Sequence, residues 1–184
     1  MNTSDPAAHD GAAAEVTPEQ WQALDGLWKA ILTLEANIDA VRQTASGLRG
    51  EMESAFRQTL NLEEKLHASQ ADVGEWNRAK SRLHFALPKV KEFIHRATWA
   101  ATVPERKRLE EVVRAHLEPR VPPADVGKVR EEMEHLLKAR QVLFSQGTSV
   151  QQEGRSLAAD TQRALGNLRR NAANNARKKK DARR

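Results

Sequence analysis

The sequence contains no cysteine and no tyrosine, and aromatic residues make up only 4% of it. Without cysteine, the chain forms no disulfide and offers no thiolate as a metal ligand or nucleophile. Only 39% of the residues are hydrophobic, whereas 30% are charged, and a compact globule of 184 residues normally buries more large side chains. The composition therefore favours an elongated helical assembly, in which each helix needs only a narrow apolar stripe.

Long apolar runs are also missing. The first fifteen residues have no basic segment followed by an apolar one, so we do not expect a secretory signal peptide. No run approaches the roughly 18 apolar residues that a membrane span requires. We therefore expect a cytoplasmic protein with no membrane span.

Apolar residues from position 24 to position 66 recur in strictly alternating steps of three and four. This first seam contains one polar residue, Thr59, and comprises Leu24, Leu27, Ile31, Leu34, Ile38, Val41, Ala45, Leu48, Met52, Ala55, Thr59, Leu62 and Leu66. Such a repeat over six heptads is typical of a helix that packs along another helix. At its start, Thr17 is the predicted N-cap, Pro18 takes the first helical position and Gln20 completes a capping box.

A second seam of equal span lies near the other end of the sequence. It comprises Val126, Val129, Met133, Leu136, Arg140, Leu143, Gly147, Val150, Gly154, Leu157, Thr161, Ala164 and Leu168. Four of these positions are not apolar, and Gly147 suggests a bend. Two seams of equal length that flank an insert favour a pair of antiparallel helices.

We therefore predict an all-α protein that forms a long antiparallel coiled-coil hairpin with a small helical head. In this interpretation, the stalk comprises 17–68 and 123–168, and the head comprises 69–122. The alternative is an elongated three-helix bundle with helices at 20–69, 73–118 and 123–170. The three-four register also continues from 66 to 101, so we favour one continuous helix through 66–76 over a turn near Gly74.

Both ends of the sequence lack large apolar residues. Residues 1–16 are small, polar and rich in alanine, so we predict that they are disordered. From residue 169 to residue 184, no apolar side chain is larger than alanine. We predict that this second segment is a mobile tail.

Positive charge is concentrated in the last thirty residues. From Arg155 onwards, ten Lys and Arg face only Asp160 and Asp181, a net charge of +8, whereas residues 1–154 carry a net charge of −3. The candidate nucleic-acid-binding residues are the eight cations of the tail: Arg169, Arg170, Arg177, Lys178, Lys179, Lys180, Arg183 and Arg184. Cations in such number bind phosphates through counterion release without reading sequence.

Other roles of the basic tail stay open. It could be a solubilising terminus, and its two basic clusters also match a nuclear import signal. An anionic membrane would attract the same charges, but the tail has no apolar residue to anchor it there. Since the tail has no aromatic residue for stacking and no recognition helix, we predict no readout of bases.

Two segments match the Glu-x-x-His spacing of di-iron bundles, namely Glu92-Phe-Ile-His95 and Glu132-Met-Glu-His135. Because His135 points away from the second seam, we predict no metal site and no cofactor. The sequence also lacks a Gly-rich phosphate loop, a Gly-x-Ser-x-Gly elbow and a His-Glu-x-x-His motif, so nothing indicates an enzyme.

A second apolar line on the insert includes Phe85 and Trp99, with Glu92 between them. We predict that Glu92 is partly buried and pairs with Arg106 or Lys107, because a buried carboxylate needs a cation. Its role would be structural.

Two functions fit these features. The first is a non-catalytic coiled-coil scaffold or adaptor, which associates with a protein partner or with itself and is tethered to nucleic acid by its tail. The second is a nucleic-acid-binding accessory protein, in which the tail is the functional element and the coiled coil only oligomerises it. Deleting 169–184 separates them, because only the second loses its function with the tail.

Overall fold

The structure is a computed structural model that describes residues 15–63 and 70–181. Its elements are α1 (Pro18–Glu63), α2 (Gln70–Ala100), α3 (Pro104–Val112), a π-helical turn (Val113–Leu117) and α4 (Val126–Asp181). These described ranges contain no β-strand, so the all-α prediction is confirmed. Contacts divide them into a first unit, 15–33 with 103–139, and a second unit, 34–63 and 70–102 with 140–181.

The start of α1 is fixed by reciprocal hydrogen bonds. The Thr17 amide donates to Gln20 Oε1 at 2.9 Å, and the Gln20 amide donates to Thr17 Oγ1 at 3.3 Å. Two amides at the helix start, which have no partner within the helix, are thereby satisfied. The predicted capping box is confirmed.

The first unit packs the start of α1 against α3, the π-helical turn and the start of α4. Its buried core comprises Leu24, Ile31, Leu109, Val113, Leu117, Val129, Met133 and Leu136. At the rim, Arg120 donates to both carboxylate oxygens of Asp25, at 3.1 and 2.7 Å, and its guanidinium lies 5.3 Å from the ring centroid of Trp21. These polar contacts connect the segment after the π-helical turn to α1.

The second unit is a bundle of α1, α2 and α4. Arg82 pairs with Asp160 and Lys89 with Glu153, so a step of seven residues up α2 matches seven down α4. These two helices are therefore antiparallel. Gly147 lies beside Val41 and Gly154 beside Leu48, so α1 and α4 run parallel.

The arrangement in this unit is therefore that of the three-helix alternative, with helices running up, down and up. The hairpin hypothesis had the two seams antiparallel. Equal seam lengths suit either direction, and α2 supplies the return path that lets the seams run parallel. The division into a stalk (17–68 and 123–168) and a head (69–122) stays a prediction.

The continuous helix that we favoured across 66–76 lies partly outside the described residues, but the contacts on either side of it exclude one straight helix through α1 and α2. The ammonium of Lys91 lies 3.0 Å from Glu53 Oε1, whereas one helix would hold these residues about 57 Å apart. α1 ends at Glu63 and α2 begins at Gln70, with Gly74 inside α2. The segment between the two helices lies outside the described residues.

Both seams face the interior along the lengths over which side chains are described. From Leu24 to Ala55, every first-seam position is buried except Leu27 and Leu34, which are half-buried. Every second-seam position from Val129 to Leu168 is buried except Val150, which is half-buried. The four non-apolar positions are buried too, and each has a packing reason. A Cβ atom on Gly147 would lie 2.6 Å from Phe93 Cε2, so this glycine admits an aromatic ring, and α4 continues through it as helix.

Arg140 is the other unusual member of the second seam, since it is buried and charged. Its Nε donates to Glu35 Oε1 at 3.1 Å, and its Nη2 donates to the carbonyl of Ala100 at 2.6 Å. The charge is therefore paired with α1, and one of the carbonyls at the end of α2 gains a donor. Arg140 joins three helices.

The prediction that Glu92 is partly buried was wrong. Glu92 is exposed, and Phe85 and Trp99 are 73% and 61% exposed. α2 buries the side that carries Leu83, Val90 and Ala97, and residues 85, 92 and 99 fall on the opposite side of the helix.

Candidate nucleic-acid interface

The cationic segment at the end of α4 is helical. Its last buried side chain is Leu168, and the helix continues to Asp181. This differs from the disorder predicted from residue 169 onwards. Residues 169–181 include neither glycine nor proline and are rich in alanine, arginine and lysine, which favour helix, so nothing in the sequence ends α4 at Leu168.

The predicted site residues fall into three groups. Arg169, Arg170, Arg177 and Lys178 are exposed on α4. Lys179 and Lys180 belong to the same helix, and Arg183 and Arg184 lie outside the described residues. Of the four cations whose side chains are described, only Arg170 and Arg177 lie on the same side of the helix, whereas Arg169 and Lys178 project from opposite sides.

Local hydrogen bonds hold the first two arginines. Arg169 Nη2 donates to Gln58 Oε1 of α1 at 3.4 Å, and Arg170 Nη2 donates to Asn167 Oδ1 at 2.8 Å. Both acceptors are neutral amides, so the positive charge of each guanidinium is not cancelled. The site keeps its attraction for anions.

Helical phase places part of this charge on one line. At about 100° per residue, positions 163, 170, 174 and 177 fall within about 60° of one another. We call this set, Arg163, Arg170, Asn174 and Arg177, the basic stripe, and all four side chains are exposed. It runs about 21 Å along the helix.

The basic stripe lies opposite the packed side of α4. Buried residues in this part of the helix are Thr161, Ala164, Leu165 and Leu168. Their positions centre about 160° away from the stripe around the helix axis. The stripe is therefore accessible while the second unit stays folded.

Sequence analysis missed Arg163 and Asn174. Arg163 precedes the predicted tail, and Asn174 is uncharged, so a count of tail cations includes neither. The spacing of 7, 4 and 3 residues would have identified them once the segment was treated as helix. Arg163 is partly compensated by Asp160, whose Oδ1 atom lies 3.6 Å from Arg163 Nη1.

Shifted pKa values on the described chain outside α4 were also considered as signs of a functional site. Glu53 has a pKa below its ordinary value because Lys91 donates a hydrogen bond to it, and Arg42 lowers the pKa of Asp39 in the same way. A hydrogen bond to Asp25 raises the pKa of Arg120. All three belong to exposed ion pairs, which shift pKa values without catalysis.

Neither grooves nor metal ligands provide a stronger site. Two shallow grooves of the second unit have volumes of about 300 and 490 Å³, and in the larger one Lys89 already pairs with Glu153. In residues 15–63 and 70–181, no three His, Asp or Glu side chains converge as a metal site would require. No helix in the same ranges is both long and apolar enough to span a bilayer.

Comparison with known proteins adds no relative. The chain matches no protein-family model, no curated protein and no solved structure.

Proposed function

We propose that this protein is a non-catalytic helical scaffold or adaptor that binds a protein partner and is tethered to nucleic acid by the end of α4. The observation that carries the proposal is the exposed cationic helix that continues for thirteen residues after Leu168. Exposed cations on an ordered helix attract phosphates, and released counterions supply the affinity. Such electrostatic binding requires no enclosed active site.

Protein association would use the outer surface of the bundle. Ile31, Ile38 and the other described seam residues are buried within the chain itself, so pairing with another helix through a seam would require the bundle to open. Phe85 and Trp99 are large apolar side chains that remain exposed on α2. Contiguous exposed apolar patches are typical of protein-binding surfaces. Phe85 and Trp99 lie about 21 Å apart along α2, so we propose each of them as a separate contact for a partner.

The tether is tested by deleting residues 169–184 from the full chain. We expect the complete protein to be retained on immobilised duplex DNA at low salt and released steeply as salt rises. The truncated protein should pass through without retention. The thermal midpoint should change by no more than a few degrees, because every described side chain after Leu168 is exposed. Unchanged retention after the deletion would contradict the tether.

The second candidate, a nucleic-acid-binding accessory protein, is favoured by the same exposed helix. The two functions differ in what remains after the deletion. A scaffold keeps its protein association, measured by sedimentation velocity or by retention of its partner, when 169–184 are removed. An accessory protein loses its only function.

A further inference from the structure

We infer that the basic stripe binds duplex DNA as a preformed helix that enters the major groove. This inference rests on the proposed tether and adds the kind of nucleic acid and the mode of contact. A flexible polycation and an ordered helix carry the same charge. They differ in shape, and a preformed helix fits the major groove of B-form DNA.

The stripe has the shape that the major groove accepts. The B-form major groove is about 12 Å wide and admits an α-helix. Arg170, Asn174 and Arg177 lie on one side of α4 beyond its last buried residue. The last buried side chains of α4, up to Leu168, lie on the opposite side of the helix, so the stripe itself faces away from the packed side.

The sequence alone predicted no readout of bases, because no recognition helix was expected; the helix that continues to Asp181 is the reason for departing from that prediction. The side chains on the stripe are of the types that contact base edges. Arginine donates two hydrogen bonds to guanine O6 and N7, and asparagine pairs with adenine N6 and N7. Ala173 is exposed at the edge of the stripe, and its small side chain permits a close approach. Arg163 lies five residues before Leu168, the last buried residue of α4, and is placed to contact a phosphate outside the groove.

Other anionic partners fit less well. Duplex RNA has a major groove too deep and narrow for side chains to read. An anionic membrane would require apolar residues that this segment lacks. Protein interfaces usually contain an apolar core, and the sequence from 169 to 181 has no apolar residue larger than alanine.

The first test keeps every charge and breaks the helix. Ala173→Pro removes a helical hydrogen bond and clashes with the preceding turn, whereas Ala173→Ser is the control that preserves the helix. Binding of the full chain to a fluorescent 20-base-pair DNA duplex is measured by anisotropy. We expect the proline variant to bind about 10-fold more weakly and the serine variant to bind like the parent. Equal binding by all three proteins would overturn the inference.

The second test changes the hydrogen-bond acceptors in the DNA major groove and leaves the DNA phosphates unchanged. Replacing guanine with 7-deazaguanine removes the N7 acceptor in the major groove. We expect affinity for this duplex to fall about 5- to 10-fold. The Arg170→Lys variant, which loses the paired donors, should show a smaller difference between the two duplexes. Arg96→Lys, on the exposed side of α2, is the matched control and should behave like the parent.

The outcomes separate the two proposals. If the parent protein shows no tail-dependent retention on any nucleic acid, the tether itself fails. If retention depends on the tail but duplex DNA, duplex RNA and polyglutamate bind equally, the tether survives and groove binding is wrong. Groove binding is supported when the DNA duplex is preferred and both the proline and the deazaguanine substitutions weaken it.

Discussion

Gly147 shows how one small residue can be a core position. It lies on the buried side of α4, and the ring of Phe93 from α2 occupies the space that a larger side chain would fill. Val41 of α1 contacts the same point. From the sequence alone, Gly147 suggested a bend in the helix. The sequence does not distinguish a glycine that makes the backbone flexible from one that leaves space for a neighbouring side chain.

Gly147→Ala is expected to lower the free energy of unfolding by about 1–3 kcal/mol, although alanine favours helix. The added Cβ would lie 2.6 Å from Phe93 Cε2 and 3.0 Å from Val41 Cγ1. Urea unfolding followed by circular dichroism measures the change.

Gly50→Ala is the matched control. Gly50 lies in α1 with no heavy atom within 4 Å of an added Cβ, so the substitution should stabilise by about 0.5–1 kcal/mol. The double variant Phe93→Leu with Gly147→Ala should recover part of the loss. A stabilising effect of Gly147→Ala alone would contradict the close packing.

Lys91→Met is expected to raise the pKa of Glu53 towards its ordinary value of 4.5, because the hydrogen bond from Lys91 is the largest cause of the lowered pKa. The folded carboxyl has the lower pKa, so the stabilisation from this pair is complete above about pH 4.5. It is lost as pH falls through the folded pKa. Carbon-detected NMR titration of the Glu53 carboxyl measures the shift.

Lys89→Met is the control for this titration. Lys89 pairs with Glu153 and not with Glu53, so the Glu53 pKa should stay low in that variant. If Lys91→Met leaves the Glu53 titration unchanged, the contact between α1 and α2 at this position is wrong.

The ends of the helices differ in how well the sequence predicts them. α1 begins at Pro18, where the capping signals agree. α4 ends at Asp181, far beyond its last apolar seam residue, Leu168. A seam shows where a helix is buried, whereas the helix continues as long as its residues favour helical backbone. The predicted tail was misjudged for that reason.

Arg140→Met is expected to lower the free energy of unfolding by about 2–3 kcal/mol, because it removes a buried guanidinium that donates to Glu35 Oε1 and to the Ala100 carbonyl. Arg140 fixes the position of α4 against α1 and against the end of α2. Chemical denaturation measures the loss. The double variant Glu35→Met with Arg140→Met should lose less than the sum of the single variants.

Arg130→Met is the control on the same helix. Arg130 pairs with Glu134 within one turn at 2.8 Å, and both side chains are substantially exposed. Its loss should change stability by no more than about 0.5 kcal/mol. Equal effects at positions 130 and 140 would show that the three-helix junction contributes nothing specific.

Charge is distributed very unevenly over the chain. The last thirty residues carry a net charge of +8, whereas the remainder carries −3. Binding of a polyanion should therefore depend on a few cations at the end of α4 and not on the overall charge of +5. The slope of log affinity against log salt measures how many cations contact phosphates.

The variant Arg169→Gln with Lys178→Gln, two exposed cations outside the stripe, is expected to reduce the slope of log affinity against log salt by about 1.8, since each phosphate contact contributes about 0.9. Anisotropy titrations with duplex DNA at several salt concentrations give the slope. Arg96→Gln with Lys107→Gln removes the same charge from exposed positions elsewhere, and its slope should match that of the parent. Equal slopes for all three proteins would place the contacts outside the basic segment.

The sequence alone determined which residues are buried in α1 and α4, where α1 begins, and which end of the chain is cationic. These properties depend on local spacing, caps and composition, which neighbouring residues set without reference to the rest of the fold. The second seam was correct even at Arg140 and Gly147, because helical period decides burial before residue type does.

Tertiary structure decided the direction and partners of the helices. A heptad pattern specifies that a helix packs and not whether its neighbour is parallel, so the parallel pairing of α1 with α4 came only from the contacts of Gly147 with Val41 and of Gly154 with Leu48. It also decided which cations are accessible, because Arg163, Arg170 and Arg177 face away from the bundle only when the opposite side of α4 is packed against it.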